Sequence, residues 1–449
     1  MPDIVPVLDE GLGNSSYLVD LDDGRALVVD PTRDPGPYLA LAERRGLSIA
    51  WSVESHLHAD FVSGSRELAA HGATVVAPGA GGLEFAHRGL GDGDEVDLSG
   101  LTLRAMGTPG HTPEHLAYLL LDGERPLALF SGGSLLVGAV ARTDLIAPER
   151  TEELARAQYR SITQRLLTLP DDLPVYPTHG AGSFCSAPAG GERTTTIGRE
   201  KATNPLLAAP DEDAFVKTLL AGLGTYPSYF LRLRDVNRHG PRVYGGLPTL
   251  APLSPAEVRH LVAAGAELVD VRPVEEFAAG HVPGALSNTL RPAFASWLGW
   301  LVPEGRALVF VVGEGQDRAE LVRQALKVGY EDLRGELTGG MGAWREAGFE
   351  VTRIPLVEAG RLEGTVLDVR QDAEYVAGHV PGAHHVELGS LPEDDGLPSG
   401  AITVACGHGE RAMTGASLLA RRGHGDLAVL DGGPEDWSRA SGQPLEAGP

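Results

Sequence analysis

The sequence predicts an α/β protein of three domains: an α/β sandwich followed by two copies of a smaller α/β domain with parallel sheets. Three observations carry this expectation. Up to about Pro205, short apolar strands alternate with helical stretches, the pattern of a layered α/β fold. From Val269 onward the chain repeats itself at an offset of 98 residues (368 − 270), and repeated strand–helix units build parallel sheets covered on both faces. The length, 449 residues, is too great for one ordinary core and suits roughly two to four domains.

Composition excludes several classes of function. With 42% hydrophobic and 22% charged residues the chain is globular. A formal net charge of −24 argues against nucleic acid and against anionic membrane surfaces as partners. Two cysteines, Cys185 and Cys406, make no disulfide framework and fit a reducing compartment. Met1-Pro2-Asp3-Ile4-Val5 has neither the basic start nor the apolar stretch of a signal peptide. No apolar run approaches a membrane span. A soluble cytoplasmic protein is expected.

In chain order, Tyr38 to Arg45 and Arg66 to His71 read as helices, and Ile49 to Val53, Thr74 to Ala77 and Leu101 to Ala105 as strands. Glu152 to Leu167 has helical spacing; Arg193 to Asn204 reads as a loop and Asp211 to Leu223 as an amphipathic helix. The stretch from Tyr226 to Pro252 is rich in Pro, Gly and Arg and reads as a covering segment and linker. Its Arg232, Arg234, Arg238 and Arg242 are either solvated and salt-bridged or able to hold the carboxylates of a glutathione-like substrate.

The stretch Ser55-His56-Leu57-His58-Ala59-Asp60-Phe61 follows a buried strand. Two histidines two apart on extended chain point to one side, and Asp60 follows where a loop can return it to the same centre. Imidazole with carboxylate is the ligand set of zinc or non-haem iron. Pro109-Gly110-His111-Thr112 and Pro177-Thr178-His179-Gly180 each add a His in a Gly/Pro-rich turn after a strand, where function-bearing loops sit. Metal ligands are expected at His56, His58 and His111, with Asp60 and His179 as secondary candidates.

These pieces, together with Gly13-Asn14-Ser15-Ser16-Tyr17, Val29-Asp30-Pro31, Phe130-Ser131-Gly132, Arg142-Thr143-Asp144 and His179-Gly180-Ala181-Gly182-Ser183, resemble the metallo-β-lactamase fold, an αββα sandwich. Within it they resemble the branch of persulfide dioxygenases and glyoxalase II. The sequence departs from that family twice: Phe61 stands where it has a second His, and Gly133 where it has an Asp. In persulfide dioxygenases that Asp completes an iron site with two histidines corresponding to His56 and His111. The resemblance therefore implies one Fe(II) or Zn(II), held without the carboxylate, and no two-metal centre. It also makes Arg142 and Cys185 candidates for substrate binding, and it implies a homodimer.

In the second half, Val269-Asp270-Val271-Arg272 recurs as Leu367-Asp368-Val369-Arg370, and Gly280-His281-Val282-Pro283-Gly284-Ala285 as Gly378-His379-Val380-Pro381-Gly382-Ala383. Leu337-Thr338-Gly339-Gly340 with Trp344 recurs as Leu430-Asp431-Gly432-Gly433 with Trp437. In the second copy a buried strand, Ile402 to Ala405, runs into Cys406-Gly407-His408-Gly409-Glu410-Arg411 and then a helix. A thiol at such a turn faces converging backbone N–H groups and the positive helix end, which stabilise a thiolate. In the first copy, aligning Arg318 with Arg411 puts Gly313 at the Cys position, so no nucleophile remains.

Both copies resemble the rhodanese fold, and the Cys406 loop resembles that of rhodanese-like sulfurtransferases, in which the Cys carries a persulfide. The resemblance implies Cys406 and Arg411 as catalytic residues, with Gly407, His408, Gly409 and Glu410 forming the substrate loop. The expected domains are 1–250, 253–352 and 356–449. The whole arrangement resembles persulfide dioxygenase–rhodanese fusions. It implies small-molecule persulfide, thiosulfate and thiols as partners, and oxidation of a glutathione persulfide-type substrate to sulfite coupled to sulfur transfer. Two alternatives are a sulfurtransferase with a silent first domain and a zinc thioester hydrolase.

Overall fold

The computed structural model describes residues 2–185, 191–362 and 364–448. The chain forms two compact units, one of Met1–Pro248 with Leu326–Gly329, the other of Thr249–Ala325 and Tyr330–Pro449.

The first unit is a sandwich of two six-stranded sheets. One sheet runs in chain order through Ile4–Asp9, Asn14–Asp20, Arg25–Val29, Ser48–Val53, Thr74–Pro78 and Arg88–Leu90. The other orders Thr195–Thr196, Pro174–Pro177, Arg125–Gly132, Leu116–Asp122, Thr102–Gly107 and Glu95–Asp97. Alternation of side chains along the strands decides which residues meet between the sheets. Tyr17, Val19, Leu27, Val29, Leu103, Tyr118 and Phe130 form that inner core. The intervening Leu18, Ala26 and Val28 turn outward and pack with Tyr38, Ala42 and Leu68, on helices Gly36–Arg44 and Ser65–Ala70. Phe215 of helix Glu212–Ala221 and Ile162 of helix Thr151–Gln164 cover the second sheet. This is the αββα arrangement the sequence predicts.

Two segments differ from the sequence reading. Ile197–Thr203, expected as loop, is a helix, started by the Thr196 side chain accepting the Arg199 N–H. Phe230–His239, within the expected linker, is a helix with Phe230, Leu233 and Asn237 buried. Two of its arginines are salt-bridged: Arg234 pairs with Glu114 at 3.1 Å, and Arg238 with Glu84 at 3.1 Å.

The second unit holds two five-stranded sheets with the same strand order. The first orders Pro252–Leu253, Leu333–Leu337, Leu308–Val311, Glu267–Asp270 and Leu286–Ser287. The second orders Leu356–Glu358, Leu427–Asp431, Ile402–Ala405, Thr365–Asp368 and His384–His385. Every pair in both sheets is parallel. The repeated motifs are scaffold. Arg272 is buried against Asp270 and donates to the Gly280 carbonyl at 3.0 Å; Arg370 does the same with Asp368 and Gly378 at 2.8 Å. His281 stacks on Phe277 with centroids 3.8 Å apart, and His379 on Tyr375 at 3.7 Å. Among the described residues no helix is long and apolar enough to cross a membrane.

Candidate metal centre and sulfur-transfer loop

Three strand ends of the first unit deliver histidines to one place. His56 follows strand Ser48–Val53, His179 follows Pro174–Pro177, and His111 lies in the turn after Thr102–Gly107. All three are buried, and their ligand nitrogens lie within 4.8 Å of one another. The sequence reading expected His58 in this set, with His179 secondary; the structure gathers His179 with His56 and His111. His58 Nε2 turns instead to two buried carboxylates, Asp30 at 3.2 Å and Glu54 at 3.1 Å. Its ring stacks on Phe61, centroids 4.2 Å apart. Burial alone would discharge His58, but Asp30 and Glu54 outweigh it and raise its pKa to about 10. A second grouping brings His58, Asp60 and His179 together.

Hydrogen bonding fixes the tautomers of the three-histidine set. Ser55 Oγ donates to Asp30 at 2.7 Å, so it accepts from His56 Nδ1 at 2.8 Å. His111 Nδ1 donates to the Arg142 carbonyl at 2.7 Å. Asn14 gives its amide N–H to Asp60 at 2.6 Å and accepts from His179 Nδ1 at 3.0 Å. Each proton is on Nδ1, so each Nε2 offers a bare lone pair, and those of His56 and His179 lie 3.4 Å apart. Facing lone pairs need a cation between them, and two nitrogens at zinc-bond length from a tetrahedral ion would be separated by about 3.3 Å. Burial, with the neighbouring imidazoles, holds His56 and His111 well below the usual histidine pKa, which keeps them neutral as ligands must be. The residues present fit one metal ion.

The position of the missing carboxylate is filled. A Cβ on Gly133 would lie 2.5 Å from His111 Cδ2. Beside it His115, buried and pushed by that burial to about 3, accepts the Gly133 N–H at 2.9 Å. His115 therefore carries its proton on Nδ1, toward Thr108 Oγ1 at 2.8 Å, and offers the centre nothing. Gln158 accepts the His111 N–H at 2.7 Å. It passes so close to Gly110 that a Cβ there would meet Gln158 Oε1 at 1.9 Å. Asn14, Asp30 and Glu54 stand in or next to the family-like pieces but take no role in the sequence reading, and His115 and Gln158 escape it.

Arg142, expected to bind substrate, has another task. Its guanidinium is buried, bridges Asp144 at 2.7 and 2.8 Å, and donates to the Phe184 and Gly224 carbonyls at 3.0 and 2.8 Å. Its carbonyl orients His111. Cys185 is fully buried, and its thiol is pushed up by burial and by the Asp60 carboxylate beside it; a thiol so placed is unreactive. A cleft reaches His56, His58 and Glu54, and Leu83, Phe85 and Pro241 also line it.

In the second unit, Cys406 Sγ accepts the Gly409 N–H at 3.1 Å, at the start of helix Glu410–Arg421. Gly409 takes a φ of 99°, which favours glycine. Arg411 does not face the sulfur through a free guanidinium: it is bidentate on Glu374 at 2.6 and 2.7 Å and so braces the loop. His408 is exposed, Gly407 and Glu410 half-buried. In the Cys-less copy the corresponding cradle is closed by Gln316. Its Oε1 accepts the Gly313 N–H at 2.7 Å and its Nε2 donates to the Val271 carbonyl at 2.7 Å.

Comparison with known proteins gives each half a counterpart. The metallo-beta-lactamase superfamily matches residues 9–179, and the rhodanese-like domain matches residues 254–347 and 356–440. Persulfide dioxygenase ETHE1, mitochondrial, of Homo sapiens is 29% identical over 209 residues, 45% of this chain and 75% of its own length. A hydroxyacylglutathione hydrolase of Methylobacillus flagellatus is 36% identical over 159 residues, 35% of this chain and 58% of its own length. Among solved structures, a metallo-beta-lactamase from Staphylococcus aureus subsp. aureus COL covers 75% of this chain and 98% of its own. Its TM-score is 0.66 and its identity 27%.

Proposed function

We infer the activity of a chain that joins a metallo-beta-lactamase domain to two rhodanese-like domains, and is therefore an enzyme of sulfur metabolism. It passes sulfane sulfur through a persulfide on Cys406, and it oxidises a low-molecular-weight persulfide of the glutathione persulfide type at one metal ion held by His56, His111 and His179. The observation that carries the first activity is the seat of Cys406, a thiol beside a donated backbone N–H at a helix N-terminus. With thiosulfate as donor, the Cys406 thiolate attacks the outer sulfur. The new S–S bond forms as the old one breaks, and its electron pair leaves on sulfite. A thiolate acceptor then takes the outer sulfur and releases Cys406. The Gly409 N–H holds the returning negative charge, and the Arg411–Glu374 pair keeps the loop from opening.

The second activity is supported by the persulfide dioxygenase relatives and by the three converging lone pairs. Iron(II) bound there would supply the dioxygen chemistry, and zinc(II) only Lewis acidity. Asn14, Ser55 and the Arg142 carbonyl hold the imidazoles in the donor tautomer. The cleft beside His56 is the entry for the persulfide. The filled position at Gly133 favours the second reading, a sulfurtransferase whose first domain is silent.

The test is thiosulfate:cyanide sulfur transfer by the full chain and by Cys406→Ser. Loss in the variant supports transfer through Cys406; activity that survives overturns it.

A further inference from the structure

Cys406 does not sit in its own repeat alone. The helix that follows it is fastened to the Cys-less repeat: Ser417 Oγ accepts the Ser287 N–H at 3.1 Å, and Arg421 donates to the Gly284 carbonyl at 2.9 Å and pairs with Glu267. Val274 of the Cys-less repeat lies 4.0 Å from where a Cβ on Gly409 would be, against the loop itself. The same repeat sends Arg291 to the loop, its Nε 3.9 Å from Glu410 Oε1.

Arg291 is unlike five other arginines of this unit. Arg272, Arg318, Arg370, Arg411 and Arg421 all place their guanidinium N–H groups on carboxylates and carbonyls. The Arg291 side chain is only 29% exposed. Yet among the described residues it makes the one long approach to Glu410 and no side-chain hydrogen bond. A half-buried guanidinium with open donors calls for an anion, since leaving them desolvated and unpaired is costly. Burial and the nearby Arg411 cation work against its charge, while Glu410 and Cys406 support it.

We propose that Arg291, from the repeat without a nucleophile, is the anion-binding residue of the Cys406 site and selects sulfur donors that carry oxyanion oxygens. The proposal rests on the reading of Cys406 as the sulfur carrier. Arg291 takes the sulfonate oxygens of thiosulfate through its open N–H groups, which aims the outer sulfur at Cys406. It also receives the sulfite that departs. The Cys-less repeat is thus half of the site, which accounts for its retaining the fold while Gln316 closes its own cradle.

The experiment is single-turnover loading of Cys406 in the full chain, read by intact mass, from two donors: thiosulfate, and dimethyl trisulfide, which is uncharged. Arg291→Gln should raise the thiosulfate concentration for half-maximal loading about tenfold with little change in the maximal rate, as expected for loss of a charge-assisted contact. Loading from dimethyl trisulfide should stay as in the wild type, and Arg291→Lys should recover part of the thiosulfate loss. Arg291→Gln that loads from thiosulfate like the wild type overturns the proposal. So does a loss that is equal for both donors or is not recovered by Lys, which marks a structural role. If the wild type loads from neither donor, the reading of Cys406 falls, and the Arg291 proposal with it.

Discussion

Gly133→Asp bears hardest on the histidine centre. Its Cβ would meet His111 Cδ2 at 2.5 Å and Cγ at 2.9 Å, with Ala141 Cβ at 3.3 Å. Gly133 is not among the glycines with positive φ, so the backbone accepts the change and the cost is steric. The His111 ring must swing away, and its 2.7 Å bond to the Arg142 carbonyl breaks. Overpacking costs about 1–3 kcal/mol and the lost hydrogen bond about 1 kcal/mol more. The metal-free variant should therefore be destabilised by about 2–4 kcal/mol, and further if the new carboxylate stays ionised and unpaired. A divalent ion reverses the sign of that last effect, because the carboxylate becomes a ligand. At a hundredfold excess over Kd the ion adds about 2.7 kcal/mol. The assay is differential scanning calorimetry of wild type and variant, each in chelator and in anaerobic ferrous iron or zinc. The variant's first-unit transition should fall in chelator and recover with metal by more than the wild-type shift. An unchanged transition in chelator would refute the packing argument, and a fall that no metal reverses would refute the metal centre.

Three further outcomes are expected. His58 is raised to about 10 from an ordinary 6.5. Its stabilisation of the metal-free fold is thus complete below pH 6.5, declines as pH rises between those values and is gone above about 10. Urea titrations of the chelated protein should show wild-type stability falling over that range. His58→Gln, with Asp30 and Glu54 left unpaired, should start about 3–5 kcal/mol lower at neutral pH and run flatter; parallel curves would contradict the ion-pair assignment. Asn14→Ala should weaken metal binding by about 10- to 100-fold, read by competition with a chelating dye, since it removes the group that orients His179. Glu374→Ala should release Arg411 and slow Cys406 loading while leaving metal affinity unchanged; a parallel fall in metal affinity would point to general unfolding instead.

What the sequence disclosed was what is written locally. The 98-residue repeat, the alternating strands and the loop after Ile402 to Ala405 are each contiguous patterns, and each appears where the pattern placed it. The ligand set was harder, because the structure turns His58 to the distant Asp30 and the nearby Glu54 and groups His179 with His56 and His111. Asp30 and Glu54 compete for His58, and Phe61 stacks on it; no spacing rule conveys that competition. The emptiness of the Gly133 position was legible, but its occupation by the His111 ring was not. Arg142 sits in a recognisable motif, yet its donors go to Asp144 and two distant carbonyls. Helix Ile197–Thr203 turned on one side-chain cap at Thr196, a signal too small to outweigh the polar composition around it.

The measurement that tests the account most directly is oxygen uptake by the iron-reconstituted full chain given glutathione persulfide, with sulfite followed in parallel. The account predicts uptake with sulfite formed, lost in His111→Ala and retained in Cys406→Ser. No uptake from protein that holds iron and still loads Cys406 would contradict it and leave a sulfurtransferase with a silent first domain.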